Sequence, residues 1–427
     1  MTLLADATGA GSGDRAQDQG SLDRLVPGLF IDLERSWMHH PFLLSKFKLK
    51  SAQEIAIIQE LGFTEVTVFP DRSDTAIAET VNEAAAAIVT QKGLWDSKHN
   101  QIDLAAQYRS NRNRIASRYQ ETVKKVKNLT LDLKSAPANA VRDAHEVVAE
   151  MAKVFAKDSN VLINLINLAD QRFSMYNHAL NVTVLSLYLG GALGFDQNQL
   201  RKLGMGAVMH DIGKAAVPEK ILMKRDALNP SELKLLQSHT LQGSRMIQRI
   251  DTLPPEAISI IEQHHEFLDG SGYPKGSRDA DITQMARIVA VVNMYDNLCN
   301  PPNAKEAMTP KNAMATLFQK YKNRLDGQIV QKFIHTMGVY PPGTVVRLND
   351  GSVGLVVSVD PKSLLKPQVL LYNEDIPRTE AVMLDLRQHN DLSITDVLKV
   401  GEYPDRVFSY LGIQERIGYF HDSRPTS

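Results

Sequence analysis

The stretch QLRKLGMGAVMHDIGK, residues 199–214, ends an apolar helical pattern on an adjacent histidine and aspartate, and HHEFLDGSGYP, residues 264–274, begins with two histidines. Five of the twelve histidines of the chain fall between residues 178 and 265. With the aspartate, the set is His178, His210, Asp211, His239, His264 and His265. A single histidine on an apolar helix face is usually structural. Five imidazoles with one carboxylate instead predict a buried metal centre, which suits Mn, Fe or Zn better than Ca or Mg.

The composition is that of an ordinary globular protein, with 43% hydrophobic and 23% charged residues, and 427 residues suffice for two or three domains. The formal net charge of −1 gives no electrostatic reason to expect binding to DNA or to a membrane. The N-terminus does not resemble a signal peptide, and no apolar run approaches about 20 residues. Cys299 is the only cysteine, so we expect no internal disulfide and a cytoplasmic location.

Changes of pattern along the chain predict five segments. Residues 51–62, SAQEIAIIQELG, are typical of a helix capped by Ser51 and stopped at Gly62. Two β-branched runs around Asn349-Asp350-Gly351 predict a hairpin in a small barrel-like module. In order, we predict a disordered tail (1–22), a small α+β module (23–75), a helical connector (76–140), an all-α bundle (141–338) and a β-rich module with a short helical tail (339–427).

The connector is predicted to be an amphipathic helix, because apolar residues recur at steps of three and four from Ile115 to Leu133. We interpret the basic residues from Arg109 to Lys127 as its solvated face; a nucleic-acid surface is the weaker alternative, since no aromatic platform accompanies the charge. Such helices often pair with copies of themselves, so a homodimer is compatible with the sequence. We also hypothesise that residues 1–140 modulate, through this helix, an activity that is complete in residues 141–338; the alternative is that they only pack against the bundle and stabilise it.

The spacing of the six metal-ligating residues indicates a hydrolytic site. His178 and the His210-Asp211 pair lie on different predicted helices and can face one another across a bundle. A carboxylate has two oxygens, so Asp211 can bridge two metals while His210 holds one of them. Two cations about 3.5–4 Å apart can together activate a water molecule and neutralise a phosphate.

The motif HDIGK at 210–214 resembles the signature of the HD phosphohydrolase superfamily. Together with HHEFLDGSGYP it resembles the HD-GYP subfamily, phosphodiesterases that hydrolyse the bacterial second messenger cyclic di-GMP. The resemblance is dense from His178 to Pro310, and residues 36–63 resemble the small domain of unknown function that precedes many HD-GYP domains. It implies a multidomain protein whose catalytic core is an all-α helical bundle of the HD type.

The resemblance also implies roles for individual residues. The six residues above match family metal ligands for two divalent transition metal ions, Fe or Mn, with Asn293 in the position of a further ligand. Lys214 matches a lysine that contacts a substrate phosphate, and Lys305 matches a second basic residue near the substrate. Gly272, Tyr273 and Pro274 match the loop beside the substrate, where we expect Tyr273 to pack and to order the loop.

Three positions depart from the family pattern. Ser174 stands where some members carry a glutamate that holds a third metal, Asn293 replaces the usual aspartate, and Pro302 replaces an arginine that clamps phosphate. Asparagine keeps an oxygen but loses a negative charge, so metal affinity should fall, and two metals are favoured over three. We expect Asp296, one turn further on, to be structural.

Three functions follow from these residues and departures. The first is metal-dependent hydrolysis of cyclic di-GMP to pGpG or GMP, by attack of metal-bound hydroxide. The second, which Asn293 and Pro302 favour, is a weakened member that binds cyclic di-GMP or other signalling proteins without turnover. The third is hydrolysis of another cyclic dinucleotide or nucleotide.

Overall fold

The computed structural model describes residues 18–22, 25–69, 72–74, 90–133, 135–168, 174–222, 224, 226–248, 253–301, 303, 306–398 and 402–413. The described residues form two compact units. The first comprises the residues up to Leu104 together with Asn373–Val382, and the second comprises Ala105–Tyr372 and the residues from Met383 onward. This division differs from the predicted boundaries at residues 140 and 338. Part of the connector, the helical bundle and most of the β-rich segment share one unit.

A four-stranded antiparallel sheet organises the first unit. Its strands are β1 (Asp18–Ser21), β2 (Phe30–Asp32), β3 (Lys46–Lys48) and β4 (Glu65–Val68), in the order β1-β4-β2-β3. Because β1 pairs with β4, the predicted disordered tail over 1–22 is wrong for residues 18–21. Residues 1–17 lie outside the described part of the chain.

Helix α1 (Ala52–Glu60) completes the core of the first unit. The Ser51 hydroxyl accepts a hydrogen bond from the backbone N–H of Glu54, and Gly62 follows the helix with a φ of 71°, so both predicted ends are confirmed. Ile58 packs with Ile31 of β2 in the buried cluster between helix and sheet. Residues 373–382 belong to this unit because two of their apolar side chains, Ile376 and Val382, pack on Trp37.

Helix α2 (Gln91–Asp132) begins in the first unit and ends in the second. Its predicted apolar stripe is buried, including Ile115, Tyr119 and Val126, because these positions recur on one helix face. Lys124 and Lys127 are exposed, as expected of a solvated face.

Helices form most of the second unit. They are α3 (Pro137–Leu168), α4 (Met175–Ala192), α5 (Gln197–Met209), α6 (Glu219–Leu222), α7 (Pro230–Gln237), α8 (His239–Ile247), α9 (Pro255–Gln263), α10 (Gln284–Cys299), α11 (Pro310–Lys320) and α12 (Gly327–Met337). α4 is buried on nearly all sides and contacts α3, α5, α10 and α12. It is therefore the central helix around which the others pack. No helix among the described residues is long and apolar enough to cross a membrane.

A five-stranded antiparallel sheet and a short helix complete the second unit. The strands are β5 (Val345–Leu348), β6 (Val353–Ser358), β7 (Gln368–Tyr372), β8 (Met383–Asp385) and β9 (Ile394–Leu398), in the order β8-β7-β6-β5-β9, followed by α13 (Asp405–Leu411). β5 and β6 form the predicted hairpin, with Gly351 at a φ of 87° in its turn. Within the described strands β8 and β9 are the two edges, so the sheet is open and the expected barrel-like closure is absent.

Candidate metal centre

Four helix ends, those of α4, α5, α8 and α9, bring the five histidines together. His178 lies in the first turn of α4, whose N-cap is Ser174. His210 and His264 follow directly after α5 and α9 as their C-cap residues. The stretch NPSELKLLQSH, residues 229–239, predicts one helix that begins with Asn229 as cap, Pro230 and Glu232 and that ends in His239. In the structure this helix, α7, ends at Gln237, and His239 is the first residue of α8.

Hydrogen bonds at the Nδ1 atoms fix how the imidazoles face the centre. His210 Nδ1 lies 2.7 Å from the Ala207 carbonyl, and His239 Nδ1 lies 2.7 Å from the Leu236 carbonyl. His264 Nδ1 similarly lies 3.0 Å from the carbonyl of residue 261. Since a carbonyl only accepts, each Nδ1 carries the proton and donates it. The Nε2 atom of each neutral ring is then left with a lone pair, as a metal ligand requires.

The Nε2 atoms are arranged in close pairs. His178 and His210 place theirs 3.3 Å apart, and His239 and His264 also place theirs 3.3 Å apart. Two lone pairs at this distance repel each other unless a cation lies between them. Burial lowers the pKa of His210 and, with the charge of neighbouring imidazoles, lowers those of His264 and His265 well below their usual range. The rings of His210, His264 and His265 are therefore neutral near pH 7, which favours a metal ion over a proton as the cation between each pair.

Asp211 lies between the two pairs of imidazoles. Its Oδ2 is 3.4 Å from His210 Nε2 and 3.6 Å from His178 Nε2, whereas its Oδ1 is 3.3 Å from His239 Nε2. Oδ1 is buried and has no hydrogen-bond donor, which is costly for a carboxylate oxygen. Two groups of ligand atoms meet at this residue, one from His178, His210 and Asp211, the other from Asp211, His239, His264 and His265. The donor set fits two divalent transition metals that share one carboxylate.

Lys214 is the cation that contacts Asp211 directly. Its Nζ lies 2.5 Å from Asp211 Oδ2, and its side chain is 20% exposed. Burial opposes ionisation of Asp211, but the charge of Lys214 holds the pKa of that carboxyl well below its usual range. Asp211 is consequently ionised at neutral pH and able to bind cations.

The Gly-Tyr-Pro loop packs beside this centre. The Tyr273 ring stacks on His265 with centroids 4.6 Å apart, in agreement with the packing role that we expected. A Cβ atom at Gly272 would lie 2.4 Å from the backbone nitrogen of Phe267, so only glycine fits there. The peptide bond between Tyr273 and Pro274 is cis.

Glu266, which the sequence analysis did not single out, holds the loop in place. It is 2% exposed, and its two carboxylate oxygens accept hydrogen bonds from the backbone N–H groups of Lys275 (2.7 Å) and Ser277 (3.0 Å). The only signal in the sequence was its position directly after two histidines; its burial is shown by the structure, and acidic residues are rarely buried without partners.

The contact of Asp296 with His178 was also not predicted from the sequence. Its Oδ2 accepts a hydrogen bond from His178 Nδ1 at 2.6 Å, which orients the ring so that Nε2 faces Asp211. Carboxylate partners of this kind fix the tautomer of ligating histidines. The contact joins residues 118 positions apart, so no local pattern could indicate it.

Of the remaining predicted residues, the structure describes Asn293 and Ser174. Asn293 is buried one turn before Asp296 on α10, and its side-chain oxygen accepts a hydrogen bond from Asn297 Nδ2 at 3.0 Å. The Ser174 hydroxyl accepts from the backbone N–H of Tyr176 as the cap of α4. Pro302 and Lys305 lie outside the described residues.

Gly213 is a further residue whose importance the sequence did not reveal. It lies in the 3-10 helix Ile212–Ala216 directly after Asp211. A Cβ atom there would come within 1.8 Å of the His239 carbonyl oxygen. The glycine therefore allows this helix to approach α8 closely, which brings Asp211 next to His239.

Comparisons with known proteins agree with this geometry. Residues 160–329 match the family model of the HD domain, and residues 19–144 match a domain of unknown function, DUF3391. The chain thus carries an HD domain preceded by that domain, as the sequence motifs predicted.

Among curated proteins, a cyclic di-GMP phosphodiesterase of Pseudomonas aeruginosa is 27% identical over 347 residues, which cover 81% of this chain and 82% of the relative. A 3'3'-cGAMP-specific phosphodiesterase of Vibrio cholerae is 27% identical over 183 residues, 42% of each chain. Among solved structures, an HDG"Y"P protein from Bdellovibrio bacteriovorus aligns with a TM-score of 0.43 and 16% identity, over 74% of this chain and 98% of that one.

Proposed function

We propose that this chain, in which an HD domain follows a domain of unknown function, is a metal-dependent phosphodiesterase that hydrolyses cyclic di-GMP to pGpG or GMP. The observation that carries the proposal is the arrangement of paired Nε2 atoms on either side of Asp211. The Pseudomonas aeruginosa relative, which aligns over most of both chains, supports the substrate. A cytoplasmic location stays a prediction.

The residues of the centre divide into holding and positioning roles. We assign His178, His210 and Asp211 to one metal and Asp211, His239, His264 and His265 to the other, with Fe or Mn as the ions. When bound, two such ions activate water and neutralise phosphate charge. Asp296 keeps His178 in the required tautomer, and Glu266 holds the Gly-Tyr-Pro loop beside His265.

Lys214 is proposed to stabilise charge on the substrate. Its ammonium group lies against Asp211 and is partly exposed, so it can reach a phosphate oxygen close to the metal ligands. An ammonium held there would stabilise the additional negative charge that develops on phosphorus oxygens during hydrolysis. Gly272, Tyr273, Pro274 and Lys305 are proposed to contact the substrate.

Asp211→Ala tests the assignment most directly, because it removes the one carboxylate common to both groups. Purified full-length protein should contain about two metal ions and convert cyclic di-GMP, on the two-metal scheme. The variant should lose both metals and all turnover. His145→Ala, which changes an exposed histidine on α3, is the control and should retain both. Full metal content in Asp211→Ala protein would refute the assignment.

Two observations support alternative functions. The Asn293 side-chain oxygen accepts a hydrogen bond from Asn297 in a position where a carboxylate is usual, which favours a weakened enzyme that binds cyclic di-GMP or a signalling protein. The similarity to a 3'3'-cGAMP-specific enzyme favours another cyclic dinucleotide as substrate. Parallel assays with both nucleotides and a binding measurement would separate the three functions.

A further inference from the structure

A chain of buried hydrogen bonds connects α2 to the metal ligand His178. The Tyr119 hydroxyl lies 2.6 Å from Asn181 Oδ1, and Asn181 Nδ2 lies 3.0 Å from Asp296 Oδ1. Asp296 Oδ2 is in turn 2.6 Å from His178 Nδ1. Tyr119 is 2% exposed, and Asn181 and Asp296 are fully buried, so water does not compete for these contacts.

The direction of each hydrogen bond in this chain is fixed by the carboxylate. Asp296 accepts from His178 on one oxygen and from Asn181 and Asn300 on the other. The amide nitrogen of Asn181 must therefore face Asp296, which turns its oxygen towards Tyr119. The Tyr119 hydroxyl then has to donate. Each group holds the next in one orientation, ending with the Nε2 lone pair of His178 facing Asp211.

We propose that Tyr119 is a positioning residue for the metal centre, acting through Asn181 and Asp296 on the orientation of His178. The inference rests on the metal-binding role given to His178 above. Tyr119 lies outside residues 160–329, which match the HD domain, and inside residues 19–144, which match the domain of unknown function. The segment before the HD domain thus contributes a residue to the support of the metal site.

The proposal predicts an effect on one of the two metal sites only. His178 belongs to the group with His210 and Asp211, and not to the group with His239, His264 and His265. Loss of the Tyr119 hydroxyl leaves the buried Asn181 oxygen without its donor and loosens the orientation of Asp296. Metal binding at the His178 group should weaken while binding at the other group stays unchanged.

The test measures Mn²⁺ affinity of metal-stripped full-length protein by competition with a chelator. Tyr119→Phe is made in two backgrounds, His239→Ala, which leaves the His178 group intact, and His178→Ala, which leaves the other group. In the first background we expect about 3–10-fold weaker binding, below the roughly 10–100-fold loss typical of a direct partner of a ligand. In the second we expect no change, because the hydrogen-bonded chain no longer ends on a ligand.

Tyr188→Phe is the matched control. Tyr188 is on the same helix as His178. Its hydroxyl donates to the Thr336 carbonyl at 3.0 Å, a hydrogen bond that involves none of Asn181, Asp296 and His178. It should lower thermal stability without changing Mn²⁺ affinity in either background. A Tyr119→Phe protein with unchanged affinity at the His178 group, or with equal losses at both groups, would overturn the proposal.

Asn181→Leu provides a second route if Tyr119→Phe protein does not fold. It breaks the same chain at the next link and should weaken the same site, and unchanged affinity there would equally overturn the proposal. Because the readout is metal affinity, the result is independent of substrate. A protein that binds Mn²⁺ as expected but hydrolyses no cyclic dinucleotide would refute the proposed function and leave this inference standing.

Discussion

Replacement of Lys214 by methionine should destabilise the metal-stripped protein far more than the metal-loaded protein. Lys214 Nζ lies 2.5 Å from the buried Asp211 carboxylate, and methionine keeps much of the apolar stem while removing the charge. Removing one partner of a fully buried ion pair costs about 3–5 kcal/mol, because the other charge is left uncompensated. Since the lysine is 20% exposed, water replaces part of the lost interaction, and we expect a decrease of about 2–3 kcal/mol in the free energy of unfolding.

Bound metal ions should remove most of this penalty. A divalent cation on Asp211 would neutralise the same carboxylate and would repel the ammonium group of Lys214. With metal bound, the lysine should therefore contribute less than about 1 kcal/mol to the free energy of unfolding. The measurement is urea unfolding followed by circular dichroism, with a chelator or with excess Mn²⁺. Turnover should also fall in Lys214→Met protein, whether the substrate is cyclic di-GMP or another cyclic dinucleotide.

Lys202→Met is the matched control for this experiment. Lys202 Nζ also lies 2.5 Å from a carboxylate, that of Glu256, but the two side chains are 29% and 40% exposed. Exposed pairs contribute at most about 1 kcal/mol, so the loss should be small and the same with and without metal. If Lys214→Met lowered stability equally in both conditions, Asp211 would not bind the metal, and the assignment of the centre would be wrong.

Two further predictions concern α10 and the first unit. Asn293→Asp should tighten metal binding and raise turnover, since it adds a carboxylate one turn from Asp296; lower metal content and rate would place residue 293 outside the metal site. His40 is fully buried, and burial followed by the charge of Lys98 lowers its pKa from 6.5 to about 4. The unfolded chain takes up this proton near pH 6.5 but the folded chain only near pH 4, so stability should fall by up to about 3 kcal/mol as the pH drops through that range. Both tryptophans, Trp37 and Trp95, lie in the first unit, so their fluorescence reports its unfolding. His40→Gln should flatten the dependence of this stability on pH. An unchanged dependence would show that His40 is not its cause.

The sequence revealed the metal-ligating residues because their chemistry is rare in that setting. Five histidines and an aspartate on apolar helical patterns have few structural explanations, and the structure brings all six together. Local signals were similarly reliable where the interaction is local. Asn229 and Glu232 form the capping box that begins α7, with Pro230 as its first residue, and all the atoms involved lie within four residues.

The contacts that the sequence did not reveal join distant segments. Asp296 contacts His178 over 118 positions, and Tyr119 contacts Asn181 over 62. Nothing in the neighbourhood of Asp296 distinguishes a carboxylate that orients a ligand from one that caps a turn. The break at Ser238 was missed for another reason, because no proline or glycine marks it and Ser238 keeps helical torsion angles, with φ −64° and ψ −12°.

The position of Tyr119 changes the hypothesis that an activity complete in residues 141–338 is modulated from outside. Residues from Ala105 belong to the same compact unit as the metal ligands, and Tyr119 is part of their buried support. α2 is therefore a structural component of the catalytic unit that also extends, as one helix, into residues of the first unit. Proximity alone does not establish coupling, because coupling requires two states that both sites bias. A displacement of α2 that withdraws the Tyr119 hydroxyl from Asn181 would define the second state, with His178 loosened and one metal bound more weakly.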